Sequence, residues 1–363
     1  MQLESISILN FKNIRESNLR FSPKINCFLG DNGMGKTNFL DSIYYLSFCK
    51  SHSNSIDTQN IRHEEEFFMI TGEYLRNNST ESIYCALKRR QKKQFRRNKK
   101  EYDRLSDHIG LLPLVMVSPD DAVLIAGGSE ERRKFADGVI SQYNKTYLQY
   151  LLNYATLLKQ RNTLLKDENQ QDDTIFSIIE EQMDMFGSYI YNERQKFIAE
   201  FIPVFQKFYT RISGGLERVS LHYTSQYTEH TSLIEKLKAT RGRDRLIGYT
   251  TSGIHKDELE MLLDEHPIKR VGSQGQNKTY LVSLKFAQFE FLKKIHGFKP
   301  ILLLDDIFDK LDAKRVGQIV SLVASDLFGQ IFITDTNREH LDGILAELNH
   351  EALIYTVTSG SAE

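Results

Sequence analysis

The segment that most constrains this chain is residues 28–38, FLGDNGMGKTN. Gly30, Gly35, Lys36 and Thr37 stand at the four fixed positions of the phosphate-cradling pattern G-x-x-x-x-G-K-[ST]. Each residue type has a physical task there. The glycines let backbone N–H groups approach phosphate oxygens with no Cβ in the way. Lys36 supplies a mobile positive charge for the outer phosphates, and the Thr37 hydroxyl suits a Mg²⁺ ligand. The flanks agree. Residues 25–29 (INCFL) read as a short apolar strand. Phe39, Leu40, Ile43 and Leu46 recur at helical spacing, so a helix N-terminus points at the loop. The candidate nucleotide-binding residues are Gly30, Asp31, Asn32, Gly33, Met34, Gly35, Lys36, Thr37 and Asn38, an ATP or GTP site.

A second segment, residues 299–306 (KPILLLDD), supplies the acidic half. Consecutive aliphatics after Pro300 read as a central parallel strand buried on both faces. Its C-terminal end carries Asp305 and Asp306, where open α/β sheets bind ligands. Asp305 is placed to serve Mg²⁺, and Asp306 to orient or deprotonate the attacking water as the catalytic carboxylate. The bland reading is two acidic residues at a strand end. The phosphate loop in the same chain weighs against it. A third segment, residues 271–278 (VGSQGQNK), opens a helix with Ser273, Gly275 and Gln276. Read alone it is an N-capping turn. One nucleotide seldom needs two helix starts, so the economical explanation is that Ser273 reaches a nucleotide held by a second subunit.

The remainder of the chain fixes the setting. Residues 1–29 alternate like paired strands, residues 50–60 are polar and rich in Ser and Asn, and residues 67–88 return to strand character. Nine of the thirteen residues 88–100 are basic. Such a run is commonly a solvated hairpin, here with its turn at residues 98–100. It also suits contact with a nucleic-acid backbone, and Arg96, Arg97, Lys99 and Lys100 are the candidate DNA-binding residues. With a formal net charge of −1, any attraction to DNA must be local. Residues 127–207 have helical period and few Gly or Pro. Leu148, Leu151, Leu152, Ala155 and Leu158 are expected to form one core face, and Ile175, Ile178, Ile179, Met183 and Phe186 another. A polar link is expected at 167–173, and a short strand pair over 218–223 and 246–249. No heptad pattern persists long enough for an extended coiled coil. The expected division is a split α/β lobe, residues 1–126 and 246–363, with a helical lobe, 127–245, inserted. Cys27, Cys49 and Cys85 lack metal-ligand spacing. No basic-then-apolar leader or membrane-length apolar run is present, so a cytoplasmic location without membrane association is expected.

In these motifs the chain resembles the ATP-binding-cassette ATPases of the chromosome-maintenance type and, within them, the RecF family of bacterial recombination mediators. The likeness rests on residues 10–13 (NFKN), 30–38, 46–48 (LSF), Gly127 and Gly128 before Arg132 and Arg133, 161–165 (RNTLL), 252–259 (SGIHKDEL), 273–278 (SQGQNK) and 303–312 (LLDDIFDKLD). It implies an ATPase head with an inserted helical lobe, ATP with Mg²⁺, and slow, switch-like hydrolysis dependent on DNA. It further implies an ATP-dependent head-to-tail homodimer on duplex DNA and gapped or single-strand junctions. The partners would be RecR, possibly with RecO, in RecA loading during replication and repair. By position, Lys36 and Thr37 serve phosphate and Mg²⁺, and Asp305 Mg²⁺. Asp306 is the catalytic carboxylate, and Ser273, Gly275 and Gln276 act in trans. Lys12 and Asn13 approach the nucleotide from the first strand, and Asp312 faces the partner's site. Thr334 or Asp335 stands where many relatives carry a γ-phosphate-sensing His. Two other readings share the loop. A transporter's ATP-binding subunit is disfavoured by the basic hairpin and helical lobe between Lys36 and Asp305. A nuclease of the overcoming-lysogenization-defect type would need a further acidic metal-binding domain, for which the stretch after Asp312 is short.

Overall fold

The computed structural model describes residues 1–167, 173–215, 217–227, 232–309, 311–336, 338, 342 and 352–363. The chain divides into two compact units. The first comprises residues 1–122, 207–216 and 273–363, the second 123–206 and 217–272.

The first unit is built on two sheets. One is antiparallel, in the order Ile14–Arg20, Gln2–Phe11, Phe67–Arg76, Ser79–Lys88, Gln94–Arg97, Lys100–Glu101. Its long strands alternate buried and partly exposed positions, the mark of a sheet with one covered face. The other runs Ser361–Ala362, Ala352–Thr358, Ile25–Leu29, Ile331–Asp335, Ile301–Asp305, Leu114–Val117, and all its pairings are parallel except the first. Ile301–Asp305 and Ile331–Asp335 are buried at every position, which explains the aliphatic run at 301–304 and the apolar residues 331–333. The helix Lys36–Phe48 contributes Phe39, Leu40, Ile43 and Leu46 to one core shared with Leu3, Phe68, Leu303 and Phe332 of the two sheets. The polar segment after this helix is pinned rather than loose: buried Asp41 accepts from Ser51 Oγ at 2.6 Å and from the His52 N–H at 2.6 Å.

The second unit contains the helices Ser129–Ser141, Lys145–Leu165, Leu233–Ile247 and most of the 41-residue Asp173–Ser213, with Val219–Thr224 pairing antiparallel to Glu258–Leu263. Three expectations change here. Residues 246–272 belong with this unit rather than the first, because Glu258–Leu263 matches Val219–Thr224 residue for residue. Residues 246–249 are no strand: Leu233–Ile247 is helical and ends in left-handed Gly248, whose N–H caps the Asp244 carbonyl. The leucine face of Lys145–Leu165 is not its core face. Tyr147, Tyr154, Leu157, Arg161 and Leu165 are buried, whereas Leu152 is 46% exposed. The cause is polar. Arg161 must reach Glu180 and Asp244, and Tyr147 must reach Asp137, so that face turns inward and carries the leucines out. Likewise Ile179 and Met183 are buried, while Ile175 and Ile178 are exposed. Of the expected link at 167–173, residues 168–172 lie outside the described residues.

Candidate functional site

The helix Lys36–Phe48 begins at Gly35, held in the left-handed region at φ 105°, and among the described residues no side-chain cap is found at its start. A Cβ at Gly35 would lie 2.4 Å from Asn13 Nδ2, so only glycine fits. Gly33, at φ 82°, has open space where a Cβ would stand. The result is a bare positive helix end behind a glycine cradle. Lys36, 5% exposed, donates to the Gly30 and Asp31 carbonyls at 2.8 and 3.1 Å, so its amine lies across the loop. Asn13 braces the loop: its Nδ2 donates to the Met34 carbonyl at 3.1 Å and its Oδ1 accepts from Asn38 at 2.7 Å.

Parallel pairing of Ile25–Leu29, Ile331–Asp335 and Ile301–Asp305 brings the acidic pair to this loop. Thr37 Oγ1, 268 positions away in sequence, contacts Asp305 Oδ1 and Oδ2 at 2.9 and 3.0 Å. Thr334, fully buried on the strand between, donates from Oγ1 to Asp305 Oδ1 at 2.6 Å and accepts the Asp306 N–H at 3.2 Å. Asp306 has φ 45°, a left-handed conformation that costs a non-glycine residue on the order of 1–2 kcal/mol. Both of its backbone polar groups are held by side chains, the N–H by Thr334 and the carbonyl by Lys278 Nζ at 3.2 Å. Burial raises the Asp305 carboxyl, with Thr334 and Thr37 opposing by hydrogen bonding. Burial also raises Asp306. Lys36 and Lys278 oppose that rise, and Asp335 and Asp309 add to it. Burial lowers the Lys278 ammonium. Asn32, Gln274, Asn277, Lys278, Asp306 and Asp335 line a cleft of about 580 Å³ at this end of the sheet. A cleft of about 1070 Å³ opens beside Lys12, Asn13, Arg62, His63 and Ser359.

Not every residue singled out in the sequence meets the loop. The Lys12 ammonium pairs with Asp41 at 2.6 Å and donates to Ser53 at 2.7 Å, although its side chain lines the larger cleft. Ser273 and Gln276 form a reciprocal capping box on the helix Gln274–His296 (Ser273 N–H to Gln276 Oε1 at 2.7 Å, Gln276 N–H to Ser273 Oγ at 3.2 Å). Ser273 is exposed, and Ser273, Gly275 and Gln276 are not among the residues lining the acidic cleft. Asp312 caps the helix Ala313–Ala324 by accepting the Arg315 N–H at 2.9 Å.

The basic run is a hairpin turned at Asn98 and Lys99, φ 49° and 70°. Its charges are not equivalent. Arg97 bonds to buried Glu81 at 2.9 Å, and Arg96 lies over the Tyr84 ring and 3.8 Å from Glu101. Lys93 is tied to Asp57 at 2.6 Å. Lys88, Arg90, Lys92, Lys99 and Lys100 are exposed, with no ion pair among the described residues.

Thr334, expected only at the position of a γ-phosphate sensor, proves to orient Asp305, and Lys278 was not expected as a working residue. Both lie in segments singled out in the sequence, but only pairing and packing reveal what their side chains touch. Among the described residues no three His, Cys, Asp or Glu side chains gather as a metal cage, and no helix is long and apolar enough to cross a membrane.

Residues 2–352 match the RecF/RecN/SMC N-terminal domain family. The chain is 60% identical over 362 residues to a DNA replication and repair protein RecF of Bacteroides fragilis, covering 99% of this chain and 98% of that protein. It is 49% identical to the RecF protein of Porphyromonas gingivalis, with 99% of each covered. A solved structure of the recombination mediator RecF with ATP, from the RecFOR pathway, aligns with a TM-score of 0.89 at 26% identity, covering 100% of this chain and 97% of that one. An Smc head domain of Pyrococcus furiosus aligns at 0.59 and 15%, a likeness of fold.

Proposed function

Because the chain belongs to the RecF family within the RecF/RecN/SMC N-terminal domain proteins, we propose that it is an ATP-switched DNA replication and repair ATPase whose working form is a dimer. The observation that carries this reading is the meeting of Thr37 with Asp305 beneath an uncapped helix start, with Asp306 held in a strained backbone beside them. The residues fit the ligands. The open cradle at Gly33 and the bare N–H groups after Gly35 suit phosphate oxygens. A hydroxyl and one carboxylate suit Mg²⁺, which takes few protein ligands and completes its shell with phosphate and water. When bound, Mg²⁺ neutralises charge on the outer phosphates.

The chain's own groups do the rest. Lys36 exchanges its two carbonyl partners for phosphate oxygens. Thr37 and Asp305 hold the metal position, and Thr334 keeps Asp305 oriented. Asp306 accepts a proton from water, its carboxyl raised by burial toward a basicity that favours transfer. The larger cleft, continuous with Asn13, takes the nucleoside end, and Lys12 lies within reach of it. Ser273, Gly275 and Gln276 of a second copy close the site in trans, which the exposure of Ser273 permits. The unpaired cations of the hairpin contact DNA backbone, with Arg96 and Arg97 as their inner flank. In this reading the dimer acts at gapped or junction DNA with RecR, and possibly RecO, toward RecA loading.

Sedimentation velocity with and without ATP tests the core of the reading. The wild type and Asp306→Asn should dimerise with ATP, the latter persistently, and Ser273→Arg should bind ATP yet stay monomeric. A Ser273→Arg variant that dimerises like the wild type removes the in-trans assignment.

A further inference from the structure

The nucleotide reading leaves one neighbour of the phosphate-loop strand unused. Strand Ala352–Thr358 pairs in parallel with Ile25–Leu29 and returns through Ser359 and Gly360 into Ser361–Ala362. Both turn residues are left-handed, at φ 48° and 82°, as a tight two-residue hairpin requires. The turn is not a free tip. Gly360 is buried, and its N–H donates to the Met34 carbonyl inside the phosphate loop at 2.8 Å. A Cβ at Gly360 would lie 2.4 Å from the Asn13 backbone oxygen. Asn13 holds that same Met34 carbonyl through its side chain. At the other end of the loop, a Cβ on Gly30 would lie 2.4 Å from the Val357 carbonyl oxygen. The hairpin therefore grips the loop at entry and at crest.

The hairpin is itself anchored. Val357 is 1% exposed, and the Tyr355 ring stacks on Phe28 at 5.3 Å while its hydroxyl donates to the Arg20 carbonyl. A left-handed glycine in a hairpin turn has an ordinary explanation in its φ alone. The lack of room for a Cβ against the Asn13 backbone oxygen, in the turn between Gln2–Phe11 and Ile14–Arg20, is a separate constraint, and the bond to the Met34 carbonyl joins the same turn to the loop.

We infer that the Ser359–Gly360 turn is a positioning device for the phosphate loop. By fixing the Met34 carbonyl it sets the loop's N–H groups in place before an anion arrives, so less ordering is left to be done on binding. The inference rests on the reading that Gly30–Asn38 holds a nucleotide phosphate. By linkage, bound nucleotide should in turn tighten the turn.

The test compares ATP titrations of the full chain as wild type, Lys36→Ala, Gly360→Ala and Gly297→Ala. Gly297 is the control for strain. It is left-handed at φ 72° with nothing within 4 Å of its Cβ position, and it lies outside the site. Both glycine variants should lower the thermal midpoint. Only Gly360→Ala should weaken ATP binding, by roughly tenfold. In the wild type, ATP should slow hydrogen exchange at the Gly360 amide, and this measurement decides the matter if Gly360→Ala fails to fold. ATP affinity of Gly360→Ala within twofold of Gly297→Ala, or Gly360 exchange indifferent to ATP, overturns the inference. Equal ATP affinity of Lys36→Ala and wild type overturns the phosphate-loop reading, and the inference with it.

Discussion

Both units bury charged side chains, and they treat them in opposite ways. In the helical unit Arg161, with no exposure, is matched at each edge of its guanidinium by Glu180, Asp244, Thr250 and the Leu237 carbonyl. Arg194 is matched by Asp137, Asp257 and the Ile254 carbonyl. In the nucleotide unit some buried charges also pair, Lys285 with Asp121 for example. At the strand ends they do not. Among the described residues Lys36 has only carbonyl partners and the helix end above is bare, while Asp305 and Asp306 stand side by side with raised carboxyls. The same contrast separates the two helix starts, since the one at Ser273 satisfies itself and the one at Gly35 does not. Burial of charge is therefore a poor marker of function in this molecule, and incomplete satisfaction is a good one.

The largest effect should come from breaking a matched set. Arg161→Ala leaves buried Asp244 without its cation and Glu180 with Arg241 alone, and should cost about 3–5 kcal/mol of stability, read by denaturant unfolding. A loss under about 1 kcal/mol would mean that the network is not the structural element described here. Acid should act on both units alike. Burial lowers His108 in the first and His255 in the second from 6.5 to about 4. Below pH 6.5 the unfolded chain takes up protons that the folded one refuses. Stability is full above 6.5, falls as pH drops toward 4, and is not reduced further by these groups below that, a loss of ~3 kcal/mol per histidine. The raised Asp305 and Asp306 work the other way, because the folded state protonates them first as pH falls. Replacing His255 with Asn should flatten the acid limb between pH 6.5 and 4, and an unchanged limb would refute its share. Breaking the unmatched set should leave stability nearly untouched. Lys36→Ala removes only two carbonyl bonds and should shift the thermal midpoint by less than about 3 °C, while weakening ATP binding ~100-fold. A large stability loss with ATP binding retained would invert the comparison.

The unmatched site was legible in the sequence and the matched networks were not. Phosphate chemistry demands fixed residues at fixed spacing, so Gly30 to Thr37 and Asp305 with Asp306 declare themselves without a structure. The helical unit has no such code. Its leucines suggested a core face by period, yet the identity of the buried face follows from where Glu180, Asp137 and Asp244 stand, residues far apart in sequence. The hold of Thr334 on Asp305 and Asp306, and the role of Gly360, were hidden for the same reason. A threonine on a buried strand and a glycine in a hairpin are ordinary until register places one between two aspartates and the other on Met34.

The smallest effect tests the comparison at the surface. All four candidate DNA residues look alike in sequence, but Arg97 is committed to Glu81 whereas Lys99 and Lys100 are unpaired and exposed. Each released phosphate contact contributes about 0.9 to the slope of log affinity against log salt. Changing Lys99 and Lys100 together to Ala should therefore lower that slope by roughly 2. Arg97→Ala should leave the slope nearly unchanged and should cost about 1–3 kcal/mol of stability, because buried Glu81 loses its 2.9 Å partner and keeps only Arg76 at 3.4 Å. If Arg97→Ala lowers the slope as much as the lysine pair does, then Arg97 leaves Glu81 when DNA binds. The rule that satisfied charges stay structural would then fail at the hairpin.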